Sequence, residues 1–329
     1  MEGNNVQAEI WKRLIQGQGL EGLGLRTIDG RFDLRGLKIP ETQRVQTVHT
    51  PIANMTKVVG ITRIKGVEWK RLHFSSAQLS GLVFTNSLLD DCLFEGCEMK
   101  GIRVWATDFL NVIFRSVDLR NSLLGGVDET RRATFRNVEF ISTDMRGTVY
   151  QEAEFTKCTF KKCKLNKVDF QSSTFEDCYF EGELREVLFY RSGFKKGNFP
   201  ENEMARIDFT QAHLRWTEFR GLDLNDVSFP EDDEHIVIED YPRVLEHLIE
   251  RLEAAPSKGA QVLGAVLREG KKWLGKNRRV GILNKKDILE GNGEEALEIV
   301  LEVVGTRLGW QRAQVRRPGA DCRAVGPRR

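Results

Sequence analysis

The chain has 329 residues, of which 40% are hydrophobic and 30% charged, and its formal net charge is +2. This composition suits a soluble protein of one elongated or two small domains, and no apolar run approaches the roughly 18 residues of a membrane span. The first residues also lack the basic and apolar regions of a signal peptide. We therefore expect a cytoplasmic protein with no membrane partner.

Apolar residues recur at helical spacing near the N-terminus, which predicts a short amphipathic helix over about 5–16. The run 17–22 that follows matches the GxGxxG spacing of dinucleotide-binding loops. That site requires a strand before the glycines and a helix after them. Here a helix precedes the run and no helix follows, so an exit from the helix is the favoured interpretation over nucleotide binding.

From Trp69 to Phe229 a large apolar residue returns every five positions, and a smaller residue lies two positions before each of these centres. A period of five fits neither a helix nor a strand, so the region is predicted to be a repeat architecture. The series begins at Trp69, Phe74, Leu79, Phe84, Leu89, Phe94, Met99, Val104, Phe109, Phe114, Leu119 and Leu124, and resumes at Phe135 with one deletion before Leu184.

Short runs within this series, such as Ser116-Val117-Asp118-Leu119-Arg120, fit the loose consensus A(D/N)Lxx. The series resembles the pentapeptide-repeat family over about half the chain. The resemblance implies an all-β solenoid, a right-handed quadrilateral β-helix with four pentapeptides per coil. It also implies that the centre and the small residue point inward. We assign residues 64–230 to this β-helix.

Grouping the centres by fours predicts which side chains stack between coils about 4.8 Å apart. We call the step from one centre to the next a beat. The eleven-residue step from Leu124 to Phe135 is counted as two beats, with a bulge at about 128–132. On this count one column of the structural core contains Phe74, Phe94, Phe114, Phe135, Phe155, Phe175 and Phe194, followed by Leu214. The rod then has about eight coils and a length on the order of 40 Å.

The segments on either side of the repeat are expected to cover its ends, because the end of a solenoid exposes unpaired strand edges. Residues 1–63 should form the N-terminal helix and a capping segment, with two partial repeats at 32–39. Residues 231–311 should form a helical domain or cap, with helices at about 240–255, 259–274, 284–289 and 294–304. The arginine-rich tail 312–329 has no core pattern and is predicted to be disordered.

Catalytic, metal and cofactor sites are not expected. Five of the six cysteines occupy the small inward position, where a thiol packs as a small hydrophobe, and their spacing lacks the Cys-x2-Cys loop of common zinc sites. The histidines are scattered, and a filled β-helix has no central pocket for a small-molecule substrate. The five cysteines are Cys92, Cys97, Cys158, Cys163 and Cys178.

Function is therefore expected on the outer surface, where two groups of residues are candidates for a partner surface. The basic group comprises Lys157, Lys161, Lys162, Lys164 and Lys167, with Lys195 and Lys196 further along. The apolar group comprises Trp105, Leu110, Ile141, Tyr190 and Trp216. Exposed apolar residues of this kind contact either a partner or the terminal caps, and both interpretations are kept.

The leading hypothesis is a non-catalytic scaffold that presents the faces of a rigid rod to an unidentified protein partner; a homodimer is left open. The family resemblance implies an alternative, a DNA mimic that binds DNA gyrase and confers toxin or quinolone resistance. Mimicry requires a strongly negative surface, whereas the repeat region is nearly neutral. A third hypothesis is nucleic-acid binding through basic clusters, which include Lys271, Lys272, Lys276, Arg278, Arg279, Lys285 and Lys286 around Trp273.

Overall fold

The structure, a computed structural model, describes residues 2–39, 46–49, 56–59, 62–126, 131–192 and 199–315. A single turn of 3-10 helix covers Lys271–Trp273. In chain order the other elements are α1 (Glu2–Gln16), β1 (Thr27–Ile28), β2 (Arg31–Asp33), β3 (Gln46–His49), β4 (Thr56–Val59), β5 (Arg63–Lys65), β6 (Glu68–Lys70), β7 (Leu72–Ser75), β8 (Val83–Thr85), β9 (Leu88–Asp90), β10 (Leu93–Glu95), β11 (Arg103–Trp105), β12 (Asp108–Leu110), β13 (Ile113–Arg115), β14 (Leu123–Leu124), β15 (Thr134–Arg136), β16 (Glu139–Ile141), β17 (Glu154–Thr156), β18 (Thr159–Lys161), β19 (Asp169–Phe170), β20 (Thr174–Glu176), β21 (Tyr179–Arg185), β22 (Leu188–Tyr190), β23 (Ile207–Arg215), β24 (Glu218–Arg220), β25 (Val227–Ser228), β26 (His235–Ile238), α2 (Tyr241–Glu253), α3 (Lys258–Gly270), β27 (Gly281–Asn284), α4 (Lys285–Asn292) and α5 (Glu294–Val315).

Strands of successive coils lie side by side and run parallel. Phe94 pairs with Phe74 in the coil before it and with Phe114 in the coil after it, so twenty residues complete one coil. Four centres fall in each coil, and we number the faces in chain order as face 1 (through Phe84), face 2 (Leu89), face 3 (Phe94) and face 4 (Met99). The predicted fold class, an all-β solenoid of four-sided coils, is confirmed.

The corners of the coil are formed by the residue two positions after each centre. These residues have left-handed backbone angles, with φ of 51° at Ser76, Asn86 and Asp91 and 52° at Arg71. The left-handed region costs a non-glycine residue roughly 1–2 kcal/mol, and it is least unfavourable for glycine, asparagine and aspartate. The backbone hydrogen bonds between coils offset this cost, so that longer side chains also occur at corners.

The predicted columns are wrong by one face beyond Leu124. Phe114 pairs with Phe140, whereas Phe135 follows Phe109 on face 2. Phe135 thus comes twenty-six residues after its neighbour in the coil before, instead of twenty. The eleven-residue step from Leu124 to Phe135 is therefore a single beat with six inserted residues, which we call the first insertion.

A second insertion follows Tyr190. Phe189 pairs with Phe219, thirty residues later instead of twenty, so this coil contains ten extra residues. The chain returns to face 2 at Met204, next to the parallel bridge between Glu176 and Ala205. Phe199 lies within the insertion and is half-buried. The predicted core residue Phe194 falls outside the described residues, as do Lys195 and Lys196.

With this register, face 3 carries an uninterrupted column of phenylalanine rings. Neighbouring rings lie nearly parallel, with centroids 4.6 to 6.2 Å apart. Stacked aromatic pairs contribute about 0.5–1.5 kcal/mol each beyond the burial of their area. The column contains Phe74, Phe94, Phe114, Phe140, Phe160, Phe180, Phe209 and Phe229. Phe135, Phe155 and Phe175 are equally buried, but on face 2.

The N-terminal end of the rod is covered by α1. The Trp11 indole donates a hydrogen bond to Lys38 O at 2.6 Å, and the Trp69 indole donates one to Leu14 O at 3.1 Å. Gly17, with φ of +67°, ends the helix in the left-handed position that favours glycine. This is the predicted helix cap. β2 continues face 3 below β7, which makes residues 31–39 the partial first coil.

The C-terminal end of the rod is closed by polar side chains that take the place of another coil. His235 Nε2 accepts a hydrogen bond from Leu214 N at 3.0 Å, and Asn284 Nδ2 donates one to Leu214 O at 3.0 Å. Arg278 Nη1 donates to Phe219 O at 3.2 Å. An open strand edge would otherwise expose these backbone groups.

The helices behind this edge differ from the prediction in several details. β26 and β27 form an antiparallel pair that the sequence analysis missed. α5 continues to Val315, so residues 312–315 of the tail predicted to be disordered are helical, and the remaining residues of that tail lie outside the described residues.

The five inward cysteines are all buried, and each thiol donates a hydrogen bond to a carbonyl of the coil before it, as Cys92 Sγ does to Trp69 O at 3.3 Å. Burial raises the pKa of Cys92 to about 12 and that of Cys97 to about 11. Because the thiolate is the reactive form, we expect these thiols to be inert in the native protein.

In a Cys322→Ser variant, Ellman's reagent should modify none of the five thiols natively and all five in denaturant. Rapid native labelling of any of them would contradict this packing.

Candidate interaction surface

Both insertions leave the rod at the same corner, between faces 1 and 2. We call this edge, with the described residues 125–126, 131–134, 190–192 and 199–203, the loop corner. The first insertion rejoins face 2 at Phe135 and the second at Met204, three coils further along the rod. At about 4.8 Å per coil, these two positions on face 2 are roughly 14 Å apart.

The first insertion starts at two glycines that lie close against the rod. Gly125 has φ of +129°, and a Cβ at this position would lie 2.9 Å from Gln151 O. A Cβ at Gly126 would lie 2.3 Å from Cδ1 of Trp105. Trp105, a candidate partner residue in the sequence, is thus packed under the start of the first insertion.

Arginines fasten the end of the first insertion to face 2. Arg131 lies 2.6 Å from Asp108, and Arg132 lies 2.7 Å from Glu154. The guanidinium of Arg132 is also 5.4 Å from the ring centre of Phe199 in the second insertion, a cation–π distance. The side chain of Arg132 is only 11% exposed. The two insertions therefore touch and form one surface.

The base of the second insertion is held by Asn202, which is fully buried. Its Oδ1 accepts hydrogen bonds from Phe175 N at 3.2 Å and Met204 N at 3.0 Å, and its Nδ2 donates to Tyr190 O at 3.2 Å. Arg191 adds ion pairs to Glu201 at 2.7 Å and to Asp223 on the next coil. A side chain that satisfies three backbone groups fixes where the insertion leaves and rejoins the coil.

Every five-residue unit of the rod has the same construction. Its centre and the small residue two positions earlier are buried, as Phe155 and Ala153 are, and its last residue turns the corner. Four such units close one coil. The chain has the fold of a pentapeptide-repeat β-helix.

No model of a known protein family matches this sequence, and no curated protein matches it. Solved structures do resemble it. HetL from the cyanobacterium Nostoc sp. strain PCC 7120, a pentapeptide repeat protein involved in heterocyst differentiation regulation, is 12% identical, with 68% of this chain and 97% of HetL covered and a TM-score of 0.30. Full-length QnrB1, a plasmid-mediated fluoroquinolone resistance protein, is 15% identical, with 57% and 91% covered and a TM-score of 0.29.

A pentapeptide repeat protein from the thylakoid lumen of Arabidopsis thaliana is 20% identical to this chain. The match covers 31% of this chain and 63% of the plant protein, with a TM-score of 0.22. Neither partners nor activity are taken from structures this distant, and the function of this protein is inferred from its own surface.

The candidate lysines do not share one face of the pentapeptide-repeat rod. Lys157, Lys162 and Lys167 occupy three successive corners, while Lys161 lies on face 3 and Lys164 on face 4. Carboxylates partly neutralise the group, because Glu181 lies 3.3 Å from Lys161 and 3.8 Å from Lys162, and Glu186 lies 3.6 Å from Lys167.

The apolar candidates of the pentapeptide-repeat rod have separate surroundings. Tyr190 lies on face 1 at the start of the second insertion, with the guanidinium of Arg220 5.4 Å from its ring centre. The ring of Trp216 lies between Arg185 and Arg215, and the backbone N–H of Trp216 donates to Asp287 of α4 at 2.6 Å. Trp216 therefore belongs to the C-terminal cap, whereas Trp105 and Tyr190 border the loop corner. Leu110, on face 2, is 37% exposed.

The C-terminal basic cluster is not one open patch. Burial lowers the pKa of Arg278, which packs under the ring of Tyr241 at 5.0 Å. Lys271 and Lys272 pair with Glu246 and Glu269 at 2.8 and 2.6 Å, and Lys286 pairs with Glu234. Most of the positive charge proposed for nucleic-acid contact is thus committed to ion pairs or to the cap.

Within the described residues, no group of three or more histidine, cysteine, aspartate and glutamate side chains is placed to hold a metal ion. None of the helices in the described part of the chain is long and apolar enough to cross a bilayer. The loop corner is the feature that sequence reasoning missed. The sequence did indicate its first part, because the step from Leu124 to Phe135 is six residues longer than one repeat. Counting that step as two beats hid the insertion.

Proposed function

We propose that this protein is a non-catalytic, cytoplasmic scaffold that binds a protein partner at the loop corner. The observation that supports it is the contact between Arg132 of the first insertion and Phe199 of the second. Two insertions that leave the same corner and touch make a continuous surface across about three coils. Closing a coil requires neither insertion, since the coils from Phe74 to Phe94 and from Phe94 to Phe114 close with twenty residues each. Loops on a rigid scaffold are the usual carriers of binding function.

The composition of the loop corner suits a protein partner. Arginine, tyrosine and tryptophan are the residues most enriched at energetically important positions of protein interfaces. Trp105, Tyr190 and Arg131 border the surface, and Arg131 is half exposed. Leu110, which follows the Arg131 partner Asp108 on β12, adds an exposed apolar side chain.

The charge of the coils supports this proposal over the DNA-mimic alternative. Burial alone would raise the pKa of Asp118, but hydrogen bonds from Arg120 and Lys100 lower it to about 2, so the carboxylate is ionised and already paired. Pairs of this kind join Arg31 to Asp91, Arg115 to Glu95, Arg120 to Asp118, Arg146 to Asp144, Arg206 to Asp177 and Lys161 to Glu181. Paired carboxylates do not present the dense negative charge of DNA. Inhibition of gyrase supercoiling by micromolar protein would reverse this preference.

The proposal is tested by capturing partners from extract of the source cell with a double variant, Arg132→Ala with Phe199→Ala. We expect the partner retained by the wild-type protein to fall by more than about tenfold, the effect of losing roughly 1.4 kcal/mol or more of binding energy. The matched control is Arg146→Ala, an exposed arginine on face 4. It should capture as much partner as the wild type.

Equal capture by the double variant and the wild type would contradict the proposal, provided that both have the same thermal unfolding midpoint. Loss of capture in both the double variant and the Arg146→Ala control would also contradict it, because binding would then not be specific to the loop corner.

A further inference from the structure

The first strand of face 2, β6, has no strand of an earlier coil beside it. The chain enters face 3 through the antiparallel pair β1 and β2, and β2 lies beside β7. Face 2 receives no strand from this partial coil, so β6 pairs only with β9. Its other edge is open within the part of the chain that the structure describes.

The ladder shows which backbone groups this edge presents. Leu88 lies one coil after Glu68 and donates its N–H to the coil before it at 2.9 Å. Asp90 lies one coil after Lys70, and its carbonyl accepts a hydrogen bond from the coil before it at 3.0 Å. By the same register, Glu68 and Lys70 turn their N–H and C=O groups toward the side of β6 on which no described strand lies. No hydrogen bond from a described residue reaches these groups.

A cleft of about 250 Å³ runs along this edge. Its lining also includes residues 17–21, which follow α1, and Phe32. The floor is apolar and consists of Leu14, Leu20, Trp69 and Leu72, each at most 3% exposed. The rim is charged and exposed and consists of Glu21, Glu68, Lys70 and Arg71.

We propose that this cleft binds an extended peptide segment of a partner protein, which adds as a strand to the open edge of β6. Unpaired N–H and C=O groups at the spacing of a strand match another extended backbone. Successive side chains of a strand point to opposite sides. An apolar residue of the peptide would therefore rest on the floor, and its polar neighbours would face the charged rim. This site lies at the end of the rod and does not rest on the function proposed for the loop corner.

The cleft favours a single peptide over a second copy of the chain. Residues 17–21 line the same cleft as β6, so the open edge lies inside a recess. The strands of a second rod are held inside their own coils and cannot enter such a recess. A single extended segment needs only the width of one strand, about 4.8 Å from β6.

Amide hydrogen exchange tests the open edge in the intact protein. The amide of Arg71 donates to Asp90 O at 3.0 Å and should be protected, whereas the amides of Glu68 and Lys70 should exchange rapidly. Strong protection of Glu68 and Lys70 in the free protein would mean that the edge is already covered, and would overturn the proposal.

Peptide binding is tested with a phage library of short random peptides and then with one selected peptide carrying a fluorescent label. We expect sequences in which an apolar residue alternates with polar ones, and slower exchange of Glu68 and Lys70 when the labelled peptide is bound. A Lys70→Pro variant removes one edge donor and obstructs strand addition, and should weaken binding by more than about tenfold. A Lys70→Ala variant keeps the donor and should bind like the wild type.

Three outcomes would overturn the proposal. These are no enrichment of peptides over the bare support, equal binding to Lys70→Pro and wild type, and equal losses in Lys70→Pro and Lys70→Ala. Far-ultraviolet circular dichroism and the unfolding midpoint show whether each variant is folded. If Lys70→Pro does not fold, protection of the Glu68 and Lys70 amides by the labelled peptide decides between the outcomes.

Discussion

A Phe155→Asp variant is expected not to form the rod and to appear as aggregated or unfolded protein. Phe155 is fully buried, and its ring stacks on Phe135 and Phe175 at centroid distances of 4.8 Å on both sides. The substitution removes both stacks and leaves a carboxylate with no partner in an apolar column. Removing a buried phenylalanine costs about 3–5 kcal/mol, and an unpaired buried charge adds several kcal/mol more. Together these losses are comparable with the stability of a typical domain.

Size-exclusion chromatography and the thermal unfolding midpoint measure this effect. Phe155→Leu keeps the column apolar and should lose only about 1–2 kcal/mol. Lys161→Glu is the surface control, because Lys161 is 47% exposed and gives up only its pair with Glu181. It should lose less than about 1 kcal/mol. A folded Phe155→Asp variant with the wild-type midpoint would refute the stacking of face 2.

An Asp287→Ala variant is expected to loosen the C-terminal cap on the rod and to lose about 3 kcal/mol of stability. Asp287 Oδ1 lies 2.5 Å from Arg215 Nε, and Asp287 Oδ2 accepts a hydrogen bond from the backbone N–H of Trp216 at 2.6 Å. The side chain of Arg215 is only 10% exposed. The variant therefore leaves a nearly buried cation with one remaining partner, Glu290 at 2.8 Å, and leaves a backbone donor unsatisfied.

The measurements are the unfolding midpoint and the rate at which a protease cleaves between the rod and α2. Glu290→Ala is the matched control, because Glu290 also pairs with Arg215 but is half exposed. It should change stability by less than about 1 kcal/mol. If the two variants behave alike, the Asp287 contact does not fasten the cap.

The five-residue period predicted the coil but not which centres stack on one another after Leu124. The error came from the number of beats counted between Leu124 and Phe135. Counting the step from Leu124 to Phe135 as two beats placed Phe135 after Phe114, and that column ended at Leu214. Counting it as one beat with six inserted residues keeps phenylalanine in the next three coils of face 3, at Phe140, Phe160 and Phe180. The information was present, since identical rings stack best on one another.

The second insertion could not be found from the period. Ten residues are two repeats, so Phe194 and Phe199 continue the five-residue series although the coil passes from Phe189 to Met204. Only the pairing of strands distinguishes an inserted segment of this length from two further units. The loop corner therefore required the structure, and so did the contact between Trp105 and Gly126 at the start of the first insertion.

The caps were predictable as elements but not as contacts. Helical spacing indicated α1 and the C-terminal helices, because amphipathic patterns are local. The side chains that satisfy the last coil, His235 and Asn284, lie far apart in sequence and meet only through the pairing of β26 with β27. Hydrogen bonds of this type depend on tertiary structure and correspond to no periodic pattern in the sequence.

The direction of the hydrogen bonds has a mechanical consequence. Backbone bonds between coils run along the axis of the rod, and each coil is bound only to its two neighbours. Tension on the chain ends would break the hydrogen bonds of one boundary between coils at a time, starting from an end of the rod. Each coil that unfolds would free about twenty residues. Resistance to pulling is then set by the terminal coil and its cap. Lengthening such a rod would not strengthen it against force, whereas fastening its ends would.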